Sequence, residues 1–143
     1  MDNKSFNWDA IPVVAKVGAD PAALTQPALS VVPAGKRWLV FTIKNTIVAS
    51  ADAASRTGYV VVNDGTETVF SSIVGPAVTA GLTRTQTFQA MSMITVAQLT
   101  GMHMPLFELP TGWGITINWV NLDAVAAGDD CGPVTVYVKE APA

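Results

Sequence analysis

Two stretches within residues 109–138 alternate apolar and polar side chains with a period of two, and they constrain the fold more than any other part of the chain. In residues 113–119 the Trp and Ile side chains fall on one face, and Gly, Thr and Asn fall on the other. In residues 134–138 Val alternates with Thr and Tyr. Successive residues of a strand point to opposite faces, so this pattern predicts two half-buried β-strands. Trp113 and Trp119 are therefore expected in the core.

Strand and turn signals recur from residue 25 onward. Residues 36–47 follow a Pro-Ala-Gly turn and have the alternation of a long strand. The alternation divides its apolar residues between two faces. The predicted core face carries Leu39, Phe41 and Ile43, and the opposite face carries Trp38 and Val40. A loop, the N-terminal segment or a partner then has to cover that opposite face.

The remaining signals also favour strands. Asn-Asp-Gly at residues 63–65 is typical of a tight β-hairpin, because these residues tolerate the positive φ that such turns require. Residues 82–94 alternate Thr and Gln with apolar residues, as expected of a strand with one solvent-facing side. Helical signals are scarce. The pattern indicates an all-β fold of seven or eight short strands, an antiparallel β-sandwich for which we expect jelly-roll connectivity.

Residues 1–24 show no sustained period of either kind and carry scattered aromatic and Pro residues. We interpret them as an extended N-terminal arm with apolar anchors, and residues 25–143 as one β-sandwich domain. Two placements of the arm stay open, across a neighbouring subunit or along its own domain.

Charge is scarce in this chain. Charged residues make up 13% of it, against about 25% in typical soluble domains, while 50% of its residues are hydrophobic. Either Thr, Ser, Asn and Gln cover the surface, or part of it is buried against another chain, and we expect both. The net charge of −3 argues against nucleic-acid binding. The chain has neither a signal-peptide core nor an apolar stretch of membrane-spanning length, so we expect a protein made in the cytoplasm with no membrane partner.

Catalytic and metal-binding patterns are missing from the sequence. His103 is the only histidine, which excludes a His-paired triad or a two-His metal site within one chain. Cys131 is the only cysteine, and its two acidic neighbours are expected to raise the pKa of its thiol and make it unreactive. Asp123, Asp129 and Asp130 lack the alternating spacing of Ca²⁺ loops, and we interpret the Gly-Asp-Asp turn as a solvated one. We therefore expect no enzymatic activity, no cofactor and no metal.

Four turn-and-strand motifs occur in one order between residues 25 and 139. They are Val-Pro-Ala-Gly-Lys-Arg-Trp at 32–38, Ser-Arg at 55–56 leading to Asn-Asp-Gly at 63–65, Leu-Pro-x-Gly-Trp at 109–113 and Ala-Gly-Asp at 127–129. In this order they resemble the small bacteriophage structural β-sandwich proteins of the head decoration (cement) or tail-associated type. The resemblance implies a virion component without enzymatic activity, commonly a trimer.

The expected function is that of a capsid decoration protein that binds and stabilises a phage head, with itself and the major capsid protein as partners. The expected contacts comprise three arm anchors and three cationic groups. They are Phe6, Trp8 and Ile11 on the arm, and Lys36, Arg37 and Arg56 on the sandwich. Trp38, on the apolar opposite face of the long strand, is a further expected interface residue. The alternative is a tail, adaptor or fibre module that binds a host-surface glycan by stacking on an exposed aromatic ring, for which Trp8 and Trp38 are the candidates. In both cases the expected location is the virion.

Overall fold

The computed structural model describes residues 7–22, 25–90, 101–121 and 128–143. Within these ranges a 3₁₀ turn, Trp8–Ala10, is the one helical element, and no helix is long and apolar enough to cross a membrane. The strands in chain order are β1 Val14–Val17, β2 Ser30–Val31, β3 Lys36–Val48, β4 Thr57–Asn63, β5 Thr68–Val74, β6 Thr83–Gln89, β7 Gly101–His103, β8 Phe107–Leu109, β9 Gly114–Val120, β10 Asp130–Cys131 and β11 Thr135–Pro142.

The strands form two packed sheets. Sheet A has the order β1-β11-β3-β6-β7, and β8 and β10 also pair with β3. Sheet B has the order β2-β9-β4-β5. The pairing is antiparallel except between β6 and β7, which are parallel. The predicted all-β antiparallel sandwich is confirmed, and the jelly-roll connectivity stays a prediction.

The core lies between the sheets and contains the C-terminal strands that the sequence singled out. Trp119 is buried in it, and Trp113 is half-buried and packs against it. The alternating valines before and within β11 are all buried, and they are Val134, Val136 and Val138. Both predicted strands and their core faces are thus confirmed.

The alternation of core-facing and outward-facing side chains along β3 is interrupted at Phe41. Tyr137 of β11 pairs with Thr42, whereas the next residue, Val138, pairs with Val40, so Phe41 is one residue too many on β3. Such a β-bulge interrupts the alternation of side chains. Trp38 and Val40 consequently join the core cluster, together with Ile43 beyond the bulge.

The predicted faces of β3 were therefore wrong before the bulge and right after it. Trp38 is 3% exposed and Val40 is 0% exposed, and both lie in the core rather than on the opposite face. Leu39 is buried outside the core cluster, and Phe41 is half-buried. The reason is physical, because the alternation predicts faces only while one residue opposes one residue across the ladder.

The hairpin predicted at residues 63–65 is confirmed. Strands β4 and β5 pair antiparallel, with Asn63 opposite Thr68, and Gly65 has a φ of +101°. The Asp64 carboxylate accepts hydrogen bonds from the backbone N–H groups of Glu67 and Thr66 and from the Thr66 hydroxyl. These donors, the Glu67 N–H first among them, hold the pKa of Asp64 below its ordinary value.

The described part of the predicted arm lies along its own sandwich. Strand β1 pairs with β11 from Val14 opposite Val138 to Val17 opposite Thr135. The Lys139 ammonium of β11 donates to the Trp8 carbonyl at 2.8 Å, which fixes the 3₁₀ turn beside the sheet. A domain boundary at residue 24 stays a prediction, but a strand of sheet A lies on its N-terminal side.

Candidate interaction surfaces

Arg56 is buried and paired, contrary to the expectation that it contacts a partner. The Arg56 and Asp129 side chains are both 0% exposed, and Nε of Arg56 donates to Oδ2 of Asp129 at 2.8 Å. Nη2 donates to the Ser50 hydroxyl at 2.7 Å, and Nη1 donates to the carbonyls of Asp52 and Ala54. The expectation was wrong because a guanidinium can be buried when a carboxylate and several acceptors surround it. Asp129 supplies the carboxylate, and residues 50–54 supply the other acceptors.

The buried pair joins segments that are distant in sequence. The Ser50 backbone N–H donates to the other oxygen of Asp129, Oδ1, at 2.8 Å, and the Arg56 backbone forms a two-bond bridge with Val78. The interpretation of the Gly-Asp-Asp turn as solvated is therefore wrong for Asp129. It holds for Asp130, which is exposed.

The outer face of sheet A carries three contacts between a cation and an aromatic ring, and we call these six residues the cation–aromatic stripe. The contacts are Arg37 over Trp8 at 5.3 Å, Lys139 over Phe41 at 5.6 Å and Lys44 over Tyr137 at 5.3 Å, measured to the ring centres. Tyr137 and Lys139 point outward because they alternate with the buried residues of β11. Contacts of this kind contribute about 0.5–1 kcal/mol at exposed sites, and they restrict long side chains to few conformations.

Several of the predicted contact residues meet at this stripe. Arg37 and Trp8 stack on each other, and Arg37 also forms an ion pair with Glu108 at 3.2 Å. Lys36 is exposed next to them at the start of β3, and Ile11 is half-buried just after the 3₁₀ turn. Phe6 lies outside the described residues. The structure thus brings Trp8 and Arg37 together, while Arg56 belongs to the interior.

Trp38 cannot act as an exposed stacking platform, because its ring is in the core. Its indole Nε1 donates to Oε2 of Glu140 at 2.7 Å, and the Lys16 ammonium lies 3.1 Å from the same oxygen. The hydrogen bond from Trp38, followed by the contacts of Lys16, holds the pKa of Glu140 below its ordinary value. The prediction of Trp38 as an interface residue is therefore wrong, and the glycan-binding alternative keeps only the half-buried Trp8.

Sheet B differs from sheet A in charge. Its four strands contain no Asp, Glu, Lys, Arg or His, whereas β1, β3, β6 and β11 of sheet A carry Lys or Arg. Large apolar side chains are nevertheless exposed on sheet B. Val31 of β2 is 51% exposed, Val74 of β5 is 54% exposed and Val120 of β9 is 45% exposed. The scarcity of charge noted in the sequence is thus concentrated on one side of the sandwich.

A buried glutamine between the sheets was not anticipated from the sequence. Gln86 of β6 is 1% exposed and donates from Nε2 to the Pro76 carbonyl, and its Oε1 has no hydrogen-bond partner among the described residues. A Cβ on Gly58 or on Gly75 would lie 2.3 Å from that oxygen. These two glycines of the sheet B side therefore make room for the side chain. The alternation of β6 places Gln86 beside Phe88 on the core face, and this is the signal that could have identified it.

The described residues offer no catalytic or metal-binding constellation. No group of three His, Cys, Asp or Glu side chains that could hold a metal ion occurs among them, and Asp123 lies outside them. Burial, with the charges of Asp129 and Asp130, raises the pKa of Cys131 to about 12. The predicted direction is confirmed, and burial is its larger cause.

Comparison with known proteins adds no relative. The chain matches no protein-family model, no curated protein and no solved structure.

Proposed function

We propose that this chain is a virion structural protein, a decoration protein that binds a phage head and stabilises it. The single observation that carries the proposal is the partition of charge between the two sheets. It gives the sandwich two different faces suited to association with protein, the charge-free sheet B with its exposed valines and the cation–aromatic stripe of sheet A. The order of the turn-and-strand motifs, which resembles phage sandwich proteins, supplies the class of partner.

The proposed activity is association alone. Apolar side chains leave water at the contacts, and the cation–aromatic stripe offers polar groups held in place for the rim of an interface. Each contact is weak, but a homo-oligomer that engages several sites on one head gains from effective concentration. The resemblance implies a trimer, with the major capsid protein as partner.

The test is co-sedimentation of the full-length protein with expanded heads, after its solution mass has been measured by light scattering. Trp8→Ala is expected to keep the fold and weaken sedimentation with heads, because it removes the half-buried ring on which Arg37 stacks. Leu106→Ala, at a 51% exposed apolar residue outside the predicted contacts, is the control and should bind as the unaltered protein does. A monomer that does not sediment with heads would refute the proposal.

Point variants are preferable to a shortened protein that starts at residue 25. The shortened protein would lack β1, which pairs with β11 in sheet A, so lost binding would not separate an arm contact from a damaged sheet. In a parallel measurement, binding to a glycan array in place of heads would favour the tail or fibre alternative.

A further inference from the structure

The outer face of sheet B can be identified residue by residue from the pairing of β4 with β9. Ile117 and Ile115 of β9 lie in the core opposite Val60 and Val62, so the residues that alternate with them point outward. We call the accessible part of this outward set the uncharged face. It includes Val31, Thr57, Tyr59, Asn63, Val74, Asn118 and Val120, and Thr68 and Ser71 of β5 face outward opposite Asn63 and Val61.

The segment before β2 covers the remaining outward residues. Thr116 is 3% exposed, and its hydroxyl donates to the Pro27 carbonyl at 3.3 Å. Val61, opposite Thr116 in the ladder, is 7% exposed. The uncharged face therefore lies on either side of this covered part, and its most exposed members are valines at strand ends.

We propose that the uncharged face packs against the uncharged face of a second copy of this chain around a two-fold axis. This inference goes beyond the proposed function, since it concerns the protein alone and holds with or without a head. A surface that packs against an identical surface of a second copy has to be self-complementary. Val, Thr, Tyr and Asn meet that condition, because a pair of such faces brings no like charges together.

The outer face of sheet A fails the same condition. Lys44 and Lys139 of the stripe point outward from β3 and β11. Arg37, near the start of β3, belongs to the same stripe and forms an ion pair with Glu108. Two such faces in contact would place cations against cations in a partly dehydrated interface, which is unfavourable. The partition of charge between the two sheets therefore selects sheet B for self-association and leaves the stripe free for a partner of another kind.

The size of the uncharged face limits the surface area that the contact can bury. With strands about 4.8 Å apart and a rise of about 3.4 Å per residue, sheet B covers roughly 400 Å² in projection, and the segment before β2 occupies some of it. Stable complexes bury about 800 Å² of accessible surface per partner, so a contact of this small size is expected to depend on protein concentration. The association therefore has to be measured over a range of concentrations.

The experiment compares three Val→Glu variants of the full chain by sedimentation velocity over a concentration series. Val74→Glu and Val120→Glu each place a carboxylate on the uncharged face at the last residue of a strand. Val48→Glu is the matched control, at the last residue of β3 in sheet A, and all three valines are 45–54% exposed. Exposed sites tolerate the change, and thermal unfolding verifies the fold of each variant.

The unaltered protein and Val48→Glu are expected to show the same rise in mass with concentration. Val74→Glu and Val120→Glu should raise the dissociation constant at least about tenfold, because each adds a carboxylate without a partner to the buried contact. An unaltered protein that stays monomeric at its highest soluble concentration, or a control that dissociates as much as the two face variants, would overturn the inference.

Failure here and failure of the proposed function are distinguishable. Head binding that is retained in a monomeric Val74→Glu protein would show that decoration does not need this face. Self-association that is lost in Val74→Glu but kept in Trp8→Ala would separate the two surfaces.

Discussion

The buried ion pair of Arg56 and Asp129 gives the largest expected effect of a single substitution. Arg56→Met keeps an unbranched apolar stem that ends near the position of the arginine Nε, and it removes the guanidinium. The Asp129 carboxylate then stays buried without its cation, and the carbonyls of Asp52 and Ala54 lose the Nη1 donor. Removing one partner of a buried pair costs about 3–5 kcal/mol. Since domains of this size unfold with about 5–15 kcal/mol, we expect Arg56→Met to lose at least about a fifth of the total stability.

The measurement is urea unfolding at 25 °C followed by tryptophan fluorescence, because Trp38 and Trp119 are 3% and 2% exposed and report on the core. The exposed pair of Arg37 and Glu108 supplies the control. Its Glu108→Gln variant should cost less than about 1 kcal/mol, since exposed ion pairs contribute little.

The double variant Arg56→Met, Asp129→Leu completes a cycle. It should be clearly more stable than the sum of the two single effects predicts, because it leaves no unpaired buried charge. A loss of less than about 1 kcal/mol in Arg56→Met, or a double variant whose loss equals that sum, would refute the argument that the pair anchors this end of the sandwich.

Three further outcomes are expected. Gly58→Ala should destabilise by about 1–3 kcal/mol through its collision with Gln86, whereas Gly132→Ala, whose Cβ would meet its nearest atom at 3.8 Å, should change the unfolding free energy little; equal losses in both would contradict this. Glu140 has a pKa below its ordinary value of 4.5 in the folded state, so its ionised form adds stability above pH 4.5 that is lost as the pH falls through the folded pKa. The difference in unfolding free energy between the unaltered protein and Glu140→Gln should accordingly be present at pH 7 and disappear in acid. Cys131, 1% exposed and with a pKa of about 12, should react with a thiol reagent at pH 8 only as fast as the protein opens, and rapid labelling of the folded protein would contradict its burial.

The sequence predicts most of the sandwich because alternation, Gly-containing turns and valine-rich runs are local signals. Residues 113–119 and 134–138 fall in the core as their period requires. The faces of β3 before Phe41 were not predictable, because a bulge depends on which residues oppose each other across the ladder. That register is a property of two strands, not of one.

To predict the buried ion pair and the charge-free face, the order of the strands in the sheets would also have to be known. Arg56 and Asp129 are 73 positions apart in the sequence. Considered alone, each is a charged residue in a predicted turn or loop, where exposure to solvent is the ordinary expectation. The absence of charge from β2, β4, β5 and β9 is visible in the sequence, but the fact that these four strands share one sheet is not. A charge-free face emerges only from their order.

The position of β11 bears on how the chain is made. This strand lies between β1 and β3 and contributes Val136 and Val138 to the core, yet it follows both of its neighbours by most of the chain. During synthesis β1 and β3 leave the ribosome long before the strand that joins them, with unpaired edges and uncovered valines. Contacts between such distant segments slow folding and leave intermediates open to aggregation. The nascent chain is therefore exposed to aggregation until β11 arrives.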